Sequence, residues 1–163
     1  MQDVKKGSAR KTSPQKGKAY MRFRSFEQYA AAKGLNCPVT PEEQNSDYQS
    51  GIVEISGATW RIRTARTTPT KKGAFVAFWT RNDAGETVPF SPHNVRGGLL
   101  VFVEQDEHRG VFTFTAPHLE RLGITSGSAA GKRGFRVYPS WCTGLNPQAT
   151  ATQRAQAPAF SFY

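Results

Sequence analysis

Histidine and cysteine are scarce in this chain, and their scarcity excludes the most recognisable metal chemistry. There are three histidines and two cysteines in 163 residues. His93, His108 and His118 stand apart from Cys37 and Cys142, with no CxxC pair and no zinc spacing among them. The patterns HxxxH, HExxH and HxE…CxxC are absent, as is the GxSxG turn that presents a catalytic serine. Gly127-Ser128-Ala129-Ala130-Gly131-Lys132 lacks the spacing of a phosphate loop, because Arg133 stands where a hydroxyl is required. The two cysteines read as free thiols of a reducing compartment. No apolar run reaches the roughly 18–20 residues of a membrane helix. The opening Met1-Gln2-Asp3-Val4-Lys5-Lys6 has no apolar stretch of a secretion signal. The expectation is a cytoplasmic protein without a membrane partner.

Negative charge is also scarce, and unevenly so. Residues 1–24 hold eight lysines and arginines against Asp3 alone, so this segment supplies seven of the ten net positive charges. It reads as a flexible basic N-terminal arm, and residues 25–163 as one domain. Apolar residues make up 37% of the chain, below the usual share, but the polar excess sits in the arm. The remainder can therefore bury a core.

What is present beyond the arm is an α+β order. A short helix is expected over residues 26–33, with Ser25 as its cap, Gln28 at the third position and Gly34 as its end. Strands follow at 52–55 and 59–64 around a Ser56-Gly57 turn. Residues 67–73 read as a loop, and 75–81 as an apolar strand buried on both faces. Residues 99–103 and 111–115 form a hairpin about a turn at 105–109. A helical turn with Pro117 leads to Gly123, a last strand spans 135–138, and a terminal helix runs to Pro158. The natural packing is a mixed central sheet flanked by a few helices.

Two stretches combine cations with aromatic rings. Arg61 and Arg63 share one strand face, while Arg66, Lys71 and Lys72 decorate the next loop. Lys132, Arg133 and Arg136 surround the last strand, beside Tyr138 and Trp141. Cations neutralise phosphates and flat rings stack on bases, so these ten residues are candidate nucleic-acid contacts. Carboxylates offer a competing chemistry, since metal-dependent phosphodiester cleavage needs two or three acids around Mg²⁺ with a lysine nearby. The candidates are Asp47, Glu54 and Glu104, joined by Asp106, with Lys71 or Lys72 as the cation. A third reading is a small-anion or nucleotide pocket of Thr67, Thr68, Thr70, Lys71 and Arg136.

The basic stretches also carry a resemblance. Residues 60–81 run Trp-Arg-Ile-Arg-Thr-Ala-Arg-Thr-Thr-Pro-Thr-Lys-Lys-Gly-Ala-Phe-Val-Ala-Phe-Trp-Thr-Arg, and residues 131–141 run Gly-Lys-Arg-Gly-Phe-Arg-Val-Tyr-Pro-Ser-Trp. These resemble the F-R-x-A-K-x-T-P-x-K-x-G-x-F-V-x-x-W-K-R and G-K-R-x-x-R-V-Y-P-P-W segments of the MepB-like family. Residues 109–114, Asp47-Tyr48, and Gln148, Thr152, Gln153 and Gln156 match further family positions, so the likeness spans about residues 40–163. It implies a restriction-endonuclease-like α/β core and DNA or RNA as partner. The chain departs from the pattern at Arg66, Thr80 and Cys142, and no acid stands between Phe75 and Arg81, where an endonuclease strand would carry one. The expectation is nucleic-acid binding on an endonuclease-like core that need not cleave. A Mg²⁺-dependent nuclease and the nucleotide-binding protein are the alternatives, and Mg²⁺ enters only with the nuclease.

Overall fold

A computed structural model describes residues 23–163; the basic arm lies outside the described residues except for its last two. The first helix, α1 (Arg24–Lys33), starts two residues before the expected position. Ser25 is not its cap. It is buried in the first turn, and its backbone N–H donates to Gln49 Oε1 at 3.3 Å. Gly34 ends the helix in the left-handed conformation, as its lack of a Cβ allows.

The strands are β1 (Thr40–Pro41), β2 (Gly51–Ile55), β3 (Ala58–Thr64), β4 (Arg66–Thr68), β5 (Lys71–Ala77), β6 (Thr80–Arg81), β7 (Thr87–Val88), β8 (Gly98–Gln105), β9 (His108–Thr115), β10 (Gly134–Val137) and β11 (Phe160–Phe162). Six of them form one sheet in the order β1-β2-β3-β8-β9-β11. β3 and β8 are parallel and the other neighbours antiparallel, so the sheet is mixed, as the α+β order implied. β10, β5 and β4 make a second, antiparallel sheet. Two further helices are α2 (Ala116–Arg121), capped by the Thr115 side chain, and α3 (Pro147–Gln156), capped by Asn146.

Strand β8 explains the layering. It is apolar at every position from Leu99 to Val103, and its alternate residues serve two cores. Leu100 and Phe102 join Phe26, Ala30, Val53, Ile62 and Val111 under α1. Leu99, Val101 and Val103 face the second sheet, meeting Ala74, Val76, Phe78, Phe135 and Val137. Each fully buried Leu, Val or Phe contributes about 1.5–3 kcal/mol, so these two interfaces fix how the three-stranded sheet sits on the six-stranded one.

Three local expectations are revised. Residues 67–73 are not a loop: β4 and β5 form a hairpin with only Pro69 and Thr70 between them, irregular at Thr67/Thr68. β5 stops at Ala77, and Thr80–Arg81 pairs instead with Thr87–Val88. It is buried on one face (Ala74, Val76), while Phe75 and Ala77 opposite are only half-buried, with Tyr48 packed against Phe75. Phe160–Phe162, beyond the expected terminal helix, adds a strand that pairs with β9 and completes the large sheet.

Candidate functional site

Strand periodicity puts Arg61 and Arg63 on one face of β3, and that face points inward at the second sheet. Arg63 is fully buried. Its Nη1 donates to Glu42 Oε1 at 2.5 Å and to the Ile62 carbonyl at 2.8 Å, and its Nη2 to Asn45 Oδ1 at 3.0 Å. Its Nε reaches the Ala77 carbonyl at 3.3 Å, so one guanidinium bolts β3 to the end of β5. Burial pushes the Arg63 pKa down, and Glu42 opposes that shift. Arg61 donates to Glu42 Oε2 at 2.5 Å and to the Asn94 carbonyl, with its guanidinium 4.4 Å from the Phe90 ring centre. Arg63 has no donor facing solvent, and the partly exposed Arg61 is tied down by Glu42 and Asn94. Both are structural, and Glu42, which neutralises them, had no sequence signal beyond being an acid in a loop.

The other cations do assemble. Arg136 of β10 stands opposite Phe75 of β5, and Phe75 stands opposite Arg66 of β4. Residues in register share a face, so Arg66, Phe75 and Arg136 form a row across the outer face of the small sheet. Arg136 is held along that face: Nη1 donates to the Lys72 carbonyl at 3.0 Å and Nη2 to Thr68 Oγ1 at 3.3 Å. Tyr48 makes a T-shaped contact with Phe75, ring centres 6.3 Å apart. Two glycines make room for rings here. A Cβ on Gly134 would lie 2.5 Å from Phe75 Cζ, and one on Gly73 would lie 2.7 Å from Tyr138 Cδ1. Gly73 is doubly constrained, since its φ is +74°. Lys71 and Lys72 are exposed at the start of β5, and Lys72 Nζ donates to the Thr143 carbonyl. Beside them, burial pushes the Cys142 thiol pKa up. Cys37 and Cys142 are both free, as expected.

Past the edge of β10 the surface falls into a groove of about 620 Å³ against α3. Arg121, Lys132, Arg136, Tyr138, Gln148 and Thr152 line it, and no carboxylate does. Arg133 is exposed beside it, its carbonyl accepting from the Phe78 N–H. The edge of β10 is itself closed by a side chain: Gln156 Oε1 accepts from the Tyr138 N–H at 2.9 Å and its Nε2 donates to the Arg136 carbonyl at 2.8 Å. Among the described residues the ion pairs within 4.0 Å are those of Glu42 with Arg61 and Arg63, so the cations of this face keep their charge for another partner.

Trp141 sits apart from the row. It stacks on His108 at 5.0 Å, packs against Phe160 and Phe162, and donates Nε1–H to Gln105 Oε1 at 3.0 Å. Its ring is engaged with the large sheet rather than presented beside Tyr138.

The carboxylates do not converge. Glu54 pairs with Thr59 at the start of β3, whose carbonyl accepts from Gly97 just ahead of β8. Glu104 lies seven residues further along β8, or roughly 23 Å at 3.3 Å per residue. Asp47 is exposed in a short 3-10 turn, Ser46–Tyr48, outside both strands. Among the described residues no three His, Cys, Asp or Glu side chains gather as metal ligands. The donor set for Mg²⁺ is therefore not assembled here. Glu104 and Asp106 instead share a cleft of about 580 Å³ with Thr67, Thr68, Thr70, Lys71 and Lys72. Those acids oppose an anion, which counts against the threonine pocket as a nucleotide site.

Glu104 also acts on the C-terminal residue. Burial, then the Glu104 carboxylate, push the Tyr163 pKa up to about 12, against Arg109. A folded pKa above the unfolded value near 10 means stability is full below about pH 10 and falls as pH rises toward 12. Because the phenol is only partly shielded, the loss is about 1 kcal/mol after solvent screening. Tyrosinate absorbance of the wild type against Tyr163→Phe checks it: one late-titrating tyrosine should vanish in the variant.

The comparisons agree with this architecture. A model of the MepB-like family matches residues 42–161. A crystal structure of MepB is 31% identical, with a TM-score of 0.76, over 86% of this chain and 97% of that one. No curated protein matches the chain. Among the described residues no helix is long and apolar enough to cross a membrane.

Proposed function

The chain belongs to the MepB-like family, and from that premise we propose that it binds nucleic acid through the outer face of its three-stranded sheet. The observation that carries the reading is the row Arg66–Phe75–Arg136, two guanidiniums flanking a half-buried aromatic ring on the outer face of the small sheet. Lys132, Arg133 and the acid-free groove with Arg121 extend the positive surface beyond β10. Phosphate contacts of this kind give affinity without sequence preference and make it fall with salt. The ligand class is DNA or RNA. The reading involves no cleavage and so calls for no Mg²⁺: the sheet holds Glu54 and Glu104 apart, and Asp47 stands in a turn outside both strands. The free thiols suit a reducing, cytoplasmic setting.

The test is a salt series of binding to labelled DNA and RNA. The double substitution Arg66→Ala with Arg136→Ala should weaken binding at least about tenfold near physiological salt and lower the slope of log affinity against log salt by about 1.4–1.8, the share of two phosphate contacts. Arg81→Ala is the control, since Arg81 is tied to the Gly85 carbonyl and lies over Trp79 in a different hairpin. A double variant that binds with the wild-type slope would sink the proposal.

A further inference from the structure

The same face says which form of nucleic acid fits it, an inference that rests on the reading above. Phe75 and Tyr138 each pack against a glycine, Gly134 and Gly73 respectively, so each ring lies across the sheet rather than standing off it. Continuing the register Val137↔Ala74 sets Tyr138 opposite Gly73, two residues from Phe75 on β5. Phe75 and Tyr138 are therefore diagonal neighbours, their backbone positions roughly 7–8 Å apart. Beside them on β10 is Arg136, which gives one donor each to the Lys72 carbonyl and Thr68 Oγ1 and keeps the rest of its five for a phosphate. Arg66 flanks the pair on the far strand, and the groove with Lys132 and Arg121 continues beyond Tyr138.

We propose that this face takes single-stranded nucleic acid, with Phe75 and Tyr138 stacking on unpaired bases and Arg66, Arg136 and Lys132 following the phosphates. A B-form strand stacks its bases 3.4 Å apart and turns their faces to one another. Rings carried on backbone positions at roughly twice that spacing meet successive bases only when the strand is extended and unpaired. Stacking on a ring is tolerant of base identity, because every base has a π face. The surface thus reads strand state and not sequence. The sugar is not distinguished by these contacts, so DNA and RNA single strands are both ligands.

The experiment uses the full chain and fluorescence anisotropy at about 200 mM salt, where non-specific phosphate attraction is reduced. The probes are oligothymidylate, oligouridylate, an abasic strand of equal length and a DNA duplex. The wild type should bind both base-carrying strands about tenfold or more tighter than the abasic strand, and the duplex more weakly than either. Phe75→Leu and Tyr138→Leu should each shrink the gap between base-carrying and abasic strands, with Phe75→Tyr keeping it. The abasic comparison needs no variant, so it stands even where a substitution unfolds the sheet. Equal affinity for base-carrying and abasic strands, or tighter binding of the duplex, overturns the single-strand proposal. If Arg66→Ala with Arg136→Ala still weakens every probe in that case, the phosphate reading survives without it. Failure of the wild type to bind any probe overturns both.

Discussion

Glu42→Gln is expected to lower the unfolding free energy by about 3–5 kcal/mol, the usual result of leaving one partner of a buried ion pair without its counter-charge. Urea denaturation measures it. The reason lies in Arg63, which no solvent reaches. Its guanidinium meets one formal negative charge, Glu42, and otherwise only neutral oxygens from Ile62, Asn45 and Ala77. Burial already disfavours the charged form, yet arginine does not shed its proton in water at any ordinary pH. The variant must therefore hold a buried cation against an amide. Arg63→Met added to Glu42→Gln removes that cation, so the double variant should be more stable than Glu42→Gln alone, an interaction visible in the cycle. A Glu42→Gln loss below about 1 kcal/mol would mean that the network behaves as a surface salt bridge.

That cluster also explains what the sequence leaves ambiguous. Period-two spacing correctly sets Arg61 and Arg63 on a common face, but spacing cannot say whether the face meets water or another sheet. The answer depends on Phe78 and Phe90, 15 or more residues downstream: Phe90 packs against both guanidiniums and Phe78 against that of Arg63. Leu99–Val103, by contrast, is legible as a central strand because five consecutive apolar residues have no solvent face to offer. Pro117 and Gly123 mark α2 by the same local logic. Phe160–Phe162 is not legible, since it is a strand only by virtue of β9, about 50 residues away. At the site, Arg66, Lys71, Lys132, Arg133, Arg136 and Tyr138 stand out from composition alone. Phe75 does not, because an aromatic in an apolar run reads as core until the half-buried outer face is seen. The sequence spacing of Glu54 and Glu104 leaves their separation in space open, and the register of β2, β3 and β8 sets it.

Gln156→Leu is expected to cost about 2–4 kcal/mol in the same denaturation experiment, from two backbone groups losing their partners at about 1–3 kcal/mol each. Gln156 is 2% exposed, and its amide stands in for the missing strand beyond β10, accepting from the Tyr138 N–H and donating to the Arg136 carbonyl. Leucine fills much of the volume and pairs with neither. Hydrogen exchange at the Tyr138 amide should accelerate more than exchange in β8, since the lost bonds are local to one edge. Gln156→Glu separates hydrogen bonding from shape. Its carboxylate still accepts from the Tyr138 N–H but faces the Arg136 carbonyl with no proton to donate. Protonation restores the donor, so the folded-state pKa of that glutamate is raised. Its stability is then full at pH below about 4.3, the unfolded value, and is lost as pH rises through the folded one. Arg136 and Tyr138 ride on the same strand, so loosening its edge frees the two side chains to move apart. Both variants should therefore bind single strands more weakly at neutral pH, although residue 156 points at backbone and not at the ligand, and Gln156→Glu should recover affinity together with stability on acidification. An affinity unchanged in Gln156→Leu while the Tyr138 amide exchanges freely would show that the ligand does not depend on β10, and would move the binding face away from Arg136.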